Sequence, residues 1–377
     1  MGRASCNTIL PGSEMKTSLE TYLEIETVES HHRIHEGAVP FISVLLTCYN
    51  YADFIERSLS ACKRQSFRDF EVIVVDDCST DASREVIQSF VDRNRDDLNI
   101  TFFALAENCG PGGAKDHALQ QAVGTYVLFH DCDDWMDGDC LEVLAENARR
   151  TEADKIRAQV RTHNEVTGRI ERTRRIPSKP NVWAEGMFHA TLYKRSLFTE
   201  NCIRFHLDRD VSDDLYLHAL LNPLVKSAEY IRHTVYTLTF KPTSLTGTAR
   251  YFSDRAVVSL EKTLRAIYPV YQKLNRDDKI LCEYLFVKQY YFLLLHFGRL
   301  LPWNKLVAYH QQLRDSIISL FHDYPRNENI RFFRGNGDMF SFRAVMWLCS
   351  ASERFHLTRI MLACYFLLSR ILYFSTR

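Results

Sequence analysis

The chain has 377 residues, 46% of them hydrophobic, enough for one large domain or two moderate ones. Its 47 lysines and arginines balance 47 aspartates and glutamates, which argues against a protein whose main task is to coat nucleic acid. Eleven cysteines occur singly, without a CxxC pair or a close cysteine–histidine cluster. That disfavours a zinc site or a disulfide framework and fits a reducing compartment.

Residues 1–39 are polar and read as a tail with a short helix at Leu19–Val28. No long apolar run opens the chain, so no secretory signal is expected there. Phe41–Thr47 is a strongly apolar strand that ends in Cys48-Tyr49-Asn50-Tyr51, followed by a helix across Ala52–Arg64. Phe70–Val75 is the next strand, and Asp76-Asp77-Cys78-Ser79-Thr80-Asp81 leads from it into a helix from about Ala82 to Val91. A third strand covers Asn99–Leu105, a loop Asn108–Gly113, and a helix Lys115–Val123. The fourth strand, Thr125–Phe129, ends at His130-Asp131-Cys132-Asp133-Asp134-Trp135. Strands and helices alternate, and the strands are apolar almost throughout, the pattern of a mostly parallel sheet covered by helices in an α/β fold. In such sheets ligands bind at the carboxyl ends of the strands, where the polar clusters fall.

Beyond Asp139 a helix begins, and the stretch Arg157–Arg175 is basic. Trp183–Phe198 returns to the core, Asp208–Leu221 runs from acidic residues into a helix, and Tyr230–Phe240 is a strand before Lys241. From Asp254 the aromatic and apolar segments are helical. The expected organisation is a tail at 1–39, a catalytic domain at 40–250 and a helical C-terminal region at 251–377. The apolar run Ile360–Phe374, interrupted by Ser369 and Arg370, is short for a membrane span and fits a buried or interfacial helix.

Asp131, Asp133 and Asp134 are the sharpest feature. Alternating carboxylates at a strand end can place two oxygens on one side of a turn, which suits a hard divalent cation such as Mn2+ or Mg2+. Such an ion can bridge the two phosphates of a nucleotide sugar. Asp133 is the first expected metal ligand. Asp131 serves as a second or contacts ribose or sugar hydroxyls, and Asp134 binds metal or orients a neighbour. An acidic turn facing solvent is the bland alternative. Asp77 can accept from a donor base or ribose, Tyr49 can stack on a base, and Thr47 and Asn50 can hydrogen-bond, although each is also an ordinary turn or cap residue. Lys115, after the glycines, can face phosphate. The glycine segment matches neither the Walker A loop nor the dinucleotide fingerprint.

Together the strings SVLLTCYN, EVIVVDDCSTD, ENCGPGGAKDHAL and VLFHDCDDW, in this order and spacing, resemble family 2 glycosyltransferases with the GT-A fold. The resemblance covers roughly residues 39–250. It implies metal-dependent transfer from a nucleotide diphosphate sugar, a UDP-sugar by preference, with inversion at the anomeric carbon. It implies that Asp214, with Asp213 beside it, is the general base before a helix, with Asp-Asp where Glu-Asp is commoner. The late segment Thr239–Ser244 carries Lys241 where the family often has histidine, so an imidazole ligand there is replaced by a cation suited to diphosphate. Trp183, Glu185 and His189 match the acceptor side. His130 merely adjoins Asp131 and is not expected to be a ligand.

The implied acceptor is a glycan or lipid-linked saccharide in bacterial surface-polysaccharide assembly, such as lipopolysaccharide or capsule. Arg359, Arg370 and Arg377 would let the last helix lie on an anionic membrane, so the expected location is cytoplasmic or peripheral on the cytoplasmic face of the inner membrane. A homo-oligomer would also cover apolar surface. A nucleotide-sugar pyrophosphorylase and a noncatalytic glycan-binding or scaffold protein are the alternatives, and donor turnover separates them.

Overall fold

The apolar run at residue 41 becomes β2 (Ile42–Cys48), in which every residue but Thr47 is buried. β3 (Phe70–Asp76) and β4 (Ile100–Ala104) are buried along their whole length, and β5 (Tyr126–Asp131) up to its last residue. Each fully buried Val, Leu or Ile contributes about 1.5–3 kcal/mol, so these strands hold the core. In this computed structural model, the residues described are 28–32, 39–174, 176, 180, 182, 188–241, 254–297, 301–322, 324–330 and 340–375.

Two units partition the chain. One comprises Met1–Ile176, Met187–Arg209 and Leu220–Lys241, the other Pro177–Gly186, Asp210–Ala219 and Pro242–Arg377. The first unit is built on one sheet. It adds β1 (Val28–His32), β6 (Trp135–Met136), β7 (Lys155–Asn164), β8 (Arg169–Arg174), β9 (Thr191–Lys194) and β10 (Ala228–Phe240). The order is β1-β4-β3-β2-β5-β9-β7-β10-β6, with β8 on β7. β4, β3, β2 and β5 run parallel, β9 lies antiparallel between β5 and β7, and β10 is parallel to β7. The crossovers are α1 (Ala52–Lys63), α2 (Ser83–Asn94) and α3 (Gly110–Gln121), α4 (Cys140–Thr151) follows β6, and the short α5 (Ser196–Thr199) follows β9. Their apolar faces close over the sheet, with Ile55, Leu59, Ile87, Phe90, Leu141 and Leu144 in the core.

Three elements differ from the sequence reading. β1 lies in the expected tail and pairs antiparallel with β4, which covers the sheet edge. Of the loop expected at Asn108–Gly113, Asn108 and Cys109 are loop, and Gly110–Gly113 form the first turn of α3. Gly110 takes φ +77°, and Pro111 sits in the first turn, where a missing N–H costs nothing. The basic stretch around Arg157 is the β7–β8 hairpin, in which Ile156, Ala158 and Val160 face the core between polar neighbours. Most of the free cysteines among the described residues are core packing: Cys48, Cys62, Cys132, Cys140, Cys282 and Cys349 are buried. Cys202, by contrast, is disulfide-bonded.

The second unit is helical. α6 (Asp213–Leu221) starts in it, and α7 (Asp254–Lys273), α8 (Arg276–Phe292), α9 (Trp303–Leu320), α10 (Phe340–Arg354) and α11 (Thr358–Ser375) belong to it. Asn275 caps α8 by accepting from the Asp278 N–H at 2.9 Å. Buried Glu353 of α10 accepts from Arg314 Nε of α9 at 2.7 Å, and His310 of α9 bonds Tyr290 of α8, so a polar network fixes three helices to one another. Among the described residues no helix is long and apolar enough to cross a membrane.

Candidate active site

The strand register brings the polar ends together. Thr47 pairs with Asp131 and Cys48 with Asp76, and the Asp77 N–H donates to the Cys48 carbonyl at 2.8 Å. β2 therefore ends between two acid-bearing strand ends. It lies where the chain, having moved outward through β3 and β4, returns to the other side as β5. That reversal in strand order is the place, at the carboxyl ends of the strands, where open α/β sheets bind ligands.

Asp131, Asp133 and Asp134 turn out of β5. The turn is closed by the Asp134 N–H donating to the Asp131 carbonyl at 3.2 Å. β10 braces it: the Thr239 N–H donates to Asp134 Oδ1 at 2.7 Å, and Thr239 Oγ1 donates to the Asp133 carbonyl. Arg57 of α1 donates to the same carbonyl at 2.8 Å and lies 4.4 Å from the Trp135 ring centre. His189 Nε2 is 3.0 Å from Asp131 Oδ2 and 3.5 Å from Asp134 Oδ2. Lys115 Nζ lies 3.7 Å from Asp131 Oδ1, and Lys241 Nζ lies 3.7 Å from Asp133 Oδ2, above the ring of Phe54.

These carboxylates crowd one another. Burial, and then Asp133 and Asp131, pushes the Asp134 carboxyl up to about 8, against the opposing pull of His189. Burial and the Asp131 charge also raise Asp133. Burial works to raise Asp131 too, but Lys115 and His189 outweigh it and hold that carboxyl well below its ordinary range. Ligand atoms of Asp131, Asp134 and His189 lie within 4.8 Å of one another, a candidate metal cluster. Two carboxylates and an imidazole form a donor set that a divalent cation accepts, and its charge would relieve the repulsion among them. Asp133, the first expected ligand, sits at the edge of this cluster facing Lys241. His189, expected on the acceptor side, is a partner of Asp131.

On the neighbouring strand ends, Asp77 is buried and its Oδ1 accepts from the Cys109 N–H at 2.7 Å. Burial is the main reason its carboxyl is pushed up to about 7. Arg209 Nη1 donates to Asn108 Oδ1 at 2.6 Å, and its side chain lies over Gly110, where an added Cβ would come within 2.7 Å of it. Asn50, at φ +57°, uses its side-chain oxygen to accept from the Thr80 N–H at 2.7 Å, so it ties two loops together. Tyr49 stands exposed beside them.

His130 is structural. Its ring bonds Ser58 Oγ at 2.8 Å through Nε2 and Tyr236 OH at 2.7 Å through Nδ1, and burial pushes its pKa down to about 4. The unfolded chain takes up this proton near 6.5, so the stabilisation is fully present above that pH. It is lost as pH falls towards 4, by on the order of 3 kcal/mol. Roughly 2 kcal/mol of it is gone by about pH 5, so urea midpoints there and at about pH 7.5 should differ by that amount of stability, and His130→Gln should remove this part of the difference.

Asp213 and Asp214 are the first two residues of α6, in the second unit. The preceding Ser212 N–H donates to Thr263 Oγ1 of α7 at 2.8 Å, and Lys262 Nζ is 2.6 Å from Asp210 Oδ2, which fixes this loop. Trp183 and Glu185 lie outside the described residues. The sequence reading missed Arg57 and Thr239. Arg57 stands alone on an ordinary amphipathic helix, and Thr239 acts partly through its backbone N–H, so neither leaves a motif.

The mixed α/β sheet, with its acidic turn at the carboxyl ends of the strands, is consistent with the GT-A fold. Residues 43–207 match the family described as Glycosyl transferase family 2. A putative teichuronic acid biosynthesis glycosyltransferase, TuaG of Bacillus subtilis (strain 168), is 40% identical over 107 residues, covering 28% of this chain and 41% of the relative. A GalNAc(5)-diNAcBac-PP-undecaprenol beta-1,3-glucosyltransferase of Campylobacter jejuni is 35% identical over 112 residues, covering 29% of this chain and 35% of the relative. The crystal structure of TarS from S. aureus has the same fold, with a TM-score of 0.54 and 19% identity over 78% of this chain and 56% of that one. The chain spans less than half the length of the relatives it matches first.

Proposed function

We propose that the chain is an inverting, divalent-metal-dependent glycosyltransferase that moves a sugar from a nucleoside diphosphate donor to a glycan or lipid-linked saccharide. The observation that carries this reading is the acidic turn of β5, in register with Thr47 and faced by Lys115 and Lys241. Asp131, Asp134 and His189 would hold Mn2+ or Mg2+, and Asp131 and Asp133, with 36% and 19% of their side chains exposed, would face it on the open side. When bound, the ion offsets charge on the departing diphosphate. Lys115 and Lys241 add positive charge on either side of the turn. Asp77 and Tyr49 would receive the base and ribose, the one as acceptor and the other as an exposed ring.

Asp214 takes the proton of the acceptor hydroxyl as its oxygen bonds to the anomeric carbon and the bond to diphosphate breaks on the opposite face. Asp213 orients the acceptor or holds the loop. A uridine diphosphate sugar is the favoured donor from the family pattern. A lipid-linked acceptor is favoured because the Campylobacter relative is named for an undecaprenol-linked one. The test is nucleoside diphosphate release across a panel of nucleotide sugars, with manganese, with magnesium and with chelator. Metal-dependent release from one donor is expected. Failure to bind any nucleotide sugar would turn the reading to a glycan-binding protein, and synthesis of a nucleotide sugar from sugar phosphate and nucleoside triphosphate would make it a pyrophosphorylase.

A further inference from the structure

The helices α10 and α11 carry apolar side chains on both of their faces. Inward, α10 buries Met346, Cys349, Ser350 and Glu353, and α11 buries Leu362. Outward, the stripe Leu348–Ala351–Phe355 leaves α10 at helical spacing, and Ile360–Ala363–Leu367 continues it on α11. Phe355 is 70% exposed, and Ile360 and Leu367 are each 61% exposed. The turn between the helices, Phe355-His356-Leu357, is exposed at all three positions, with His356 at φ +57°. So many large apolar side chains exposed on one helical hairpin are uncommon on a protein that faces only water.

Charge selects the partner. Arg354 and Arg359 flank the turn and are exposed. From residue 340 to the end of the chain the only carboxylate side chain is that of Glu353, which is buried and bonded to Arg314. Within this segment the exposed charges beside the apolar side chains are therefore all basic, and the exposed acid of the neighbouring helix, Asp315, stands next to Arg314. A two-fold contact with a second copy would set these arginines against themselves. An anionic lipid surface meets both requirements, headgroups taking the arginines and the acyl boundary taking Phe355, Leu357 and Ile360.

We propose that the α10–α11 hairpin is a docking surface for an anionic lipid bilayer, with the Phe355–Leu357 turn leading. It lies within the second unit and does not rest on the transferase reading. The experiment is flotation of the full purified chain with vesicles of phosphatidylcholine alone or mixed with phosphatidylglycerol, beside sedimentation velocity without lipid. Binding to the anionic vesicles is expected, weakening with salt. Each arginine near such a surface is worth about fivefold in partition, so Arg354→Glu/Arg359→Glu should weaken binding by at least about thirtyfold. Phe355→Asp/Leu357→Asp should abolish it, with circular dichroism and nucleoside diphosphate release as in the wild type. Equal binding to both vesicles, or none, overturns the proposal. So does self-association without lipid that the same substitutions disrupt, which would make the face an interface between copies.

Discussion

Asp133→Ala lowers metal-dependent release of nucleoside diphosphate by at least about a hundredfold, because a cation held at the acidic turn supplies several kcal/mol of charge stabilisation to the departing diphosphate. Asp131→Ala has an effect of the same order. The loss is chemical rather than structural. The turn is braced through backbone atoms, by Thr239 and Arg57 on the Asp133 carbonyl, and neither bond uses the Asp133 carboxylate. Asp133→Asn keeps the shape of the side chain and should melt close to wild type, while its activity falls with the alanine variant. Rates measured across a manganese titration separate weaker metal binding from slower chemistry. Full activity of Asp133→Asn at ordinary metal concentrations would remove this carboxylate from the metal site.

Asp214→Asn lowers transfer to acceptor by about a hundred- to ten-thousandfold while leaving donor affinity unchanged, the signature of a lost general base. The alternative is a first-turn acid that only complements the N-terminal dipole of α6, worth about 0.3–1 kcal/mol of stability. The two roles differ in what they move: a helix-end acid shifts the melting temperature and spares transfer, and a base does the reverse. Donor affinity by calorimetry, transfer rate and thermal melting on one variant distinguish them. Transfer retained within a few fold would return Asp214 to the structural role.

The half of the fold that carries the acidic turn was legible because each strand is almost wholly buried and each ends in a polar cluster. Phe70–Asp76 is the clearest case, seven buried residues followed by a capped turn. The other half was obscured by two effects. In β7 the alternation of Ile156, Ala158 and Val160 with polar residues is a strand period, but it falls in a stretch whose many arginines set it apart by charge instead. β6 and β9 are two and four residues long, too short to leave a pattern. In the site, the carboxylates were visible as a motif. Their pairing with Lys115, Lys241 and His189 was not, since those partners lie up to 108 positions away from Asp133 and are brought in by separate strands and helices. Reading the glycine segment as a loop failed for a local reason, because proline in a first turn starts a helix as readily as it breaks one.

The bracing of the acidic turn by β10 fixes an order of events during synthesis. Residues 131–134 leave the ribosome about a hundred residues before Thr239 and Lys241. Until β10 reaches β7 and β6, the three carboxylates stand together without the backbone donor and the cation that later hold them. Parallel pairing across so long a separation is slow. A nascent chain can thus carry the whole β2–β5 core while its acidic turn remains unassembled, which delays completion of that turn until nearly all of the first unit has been made.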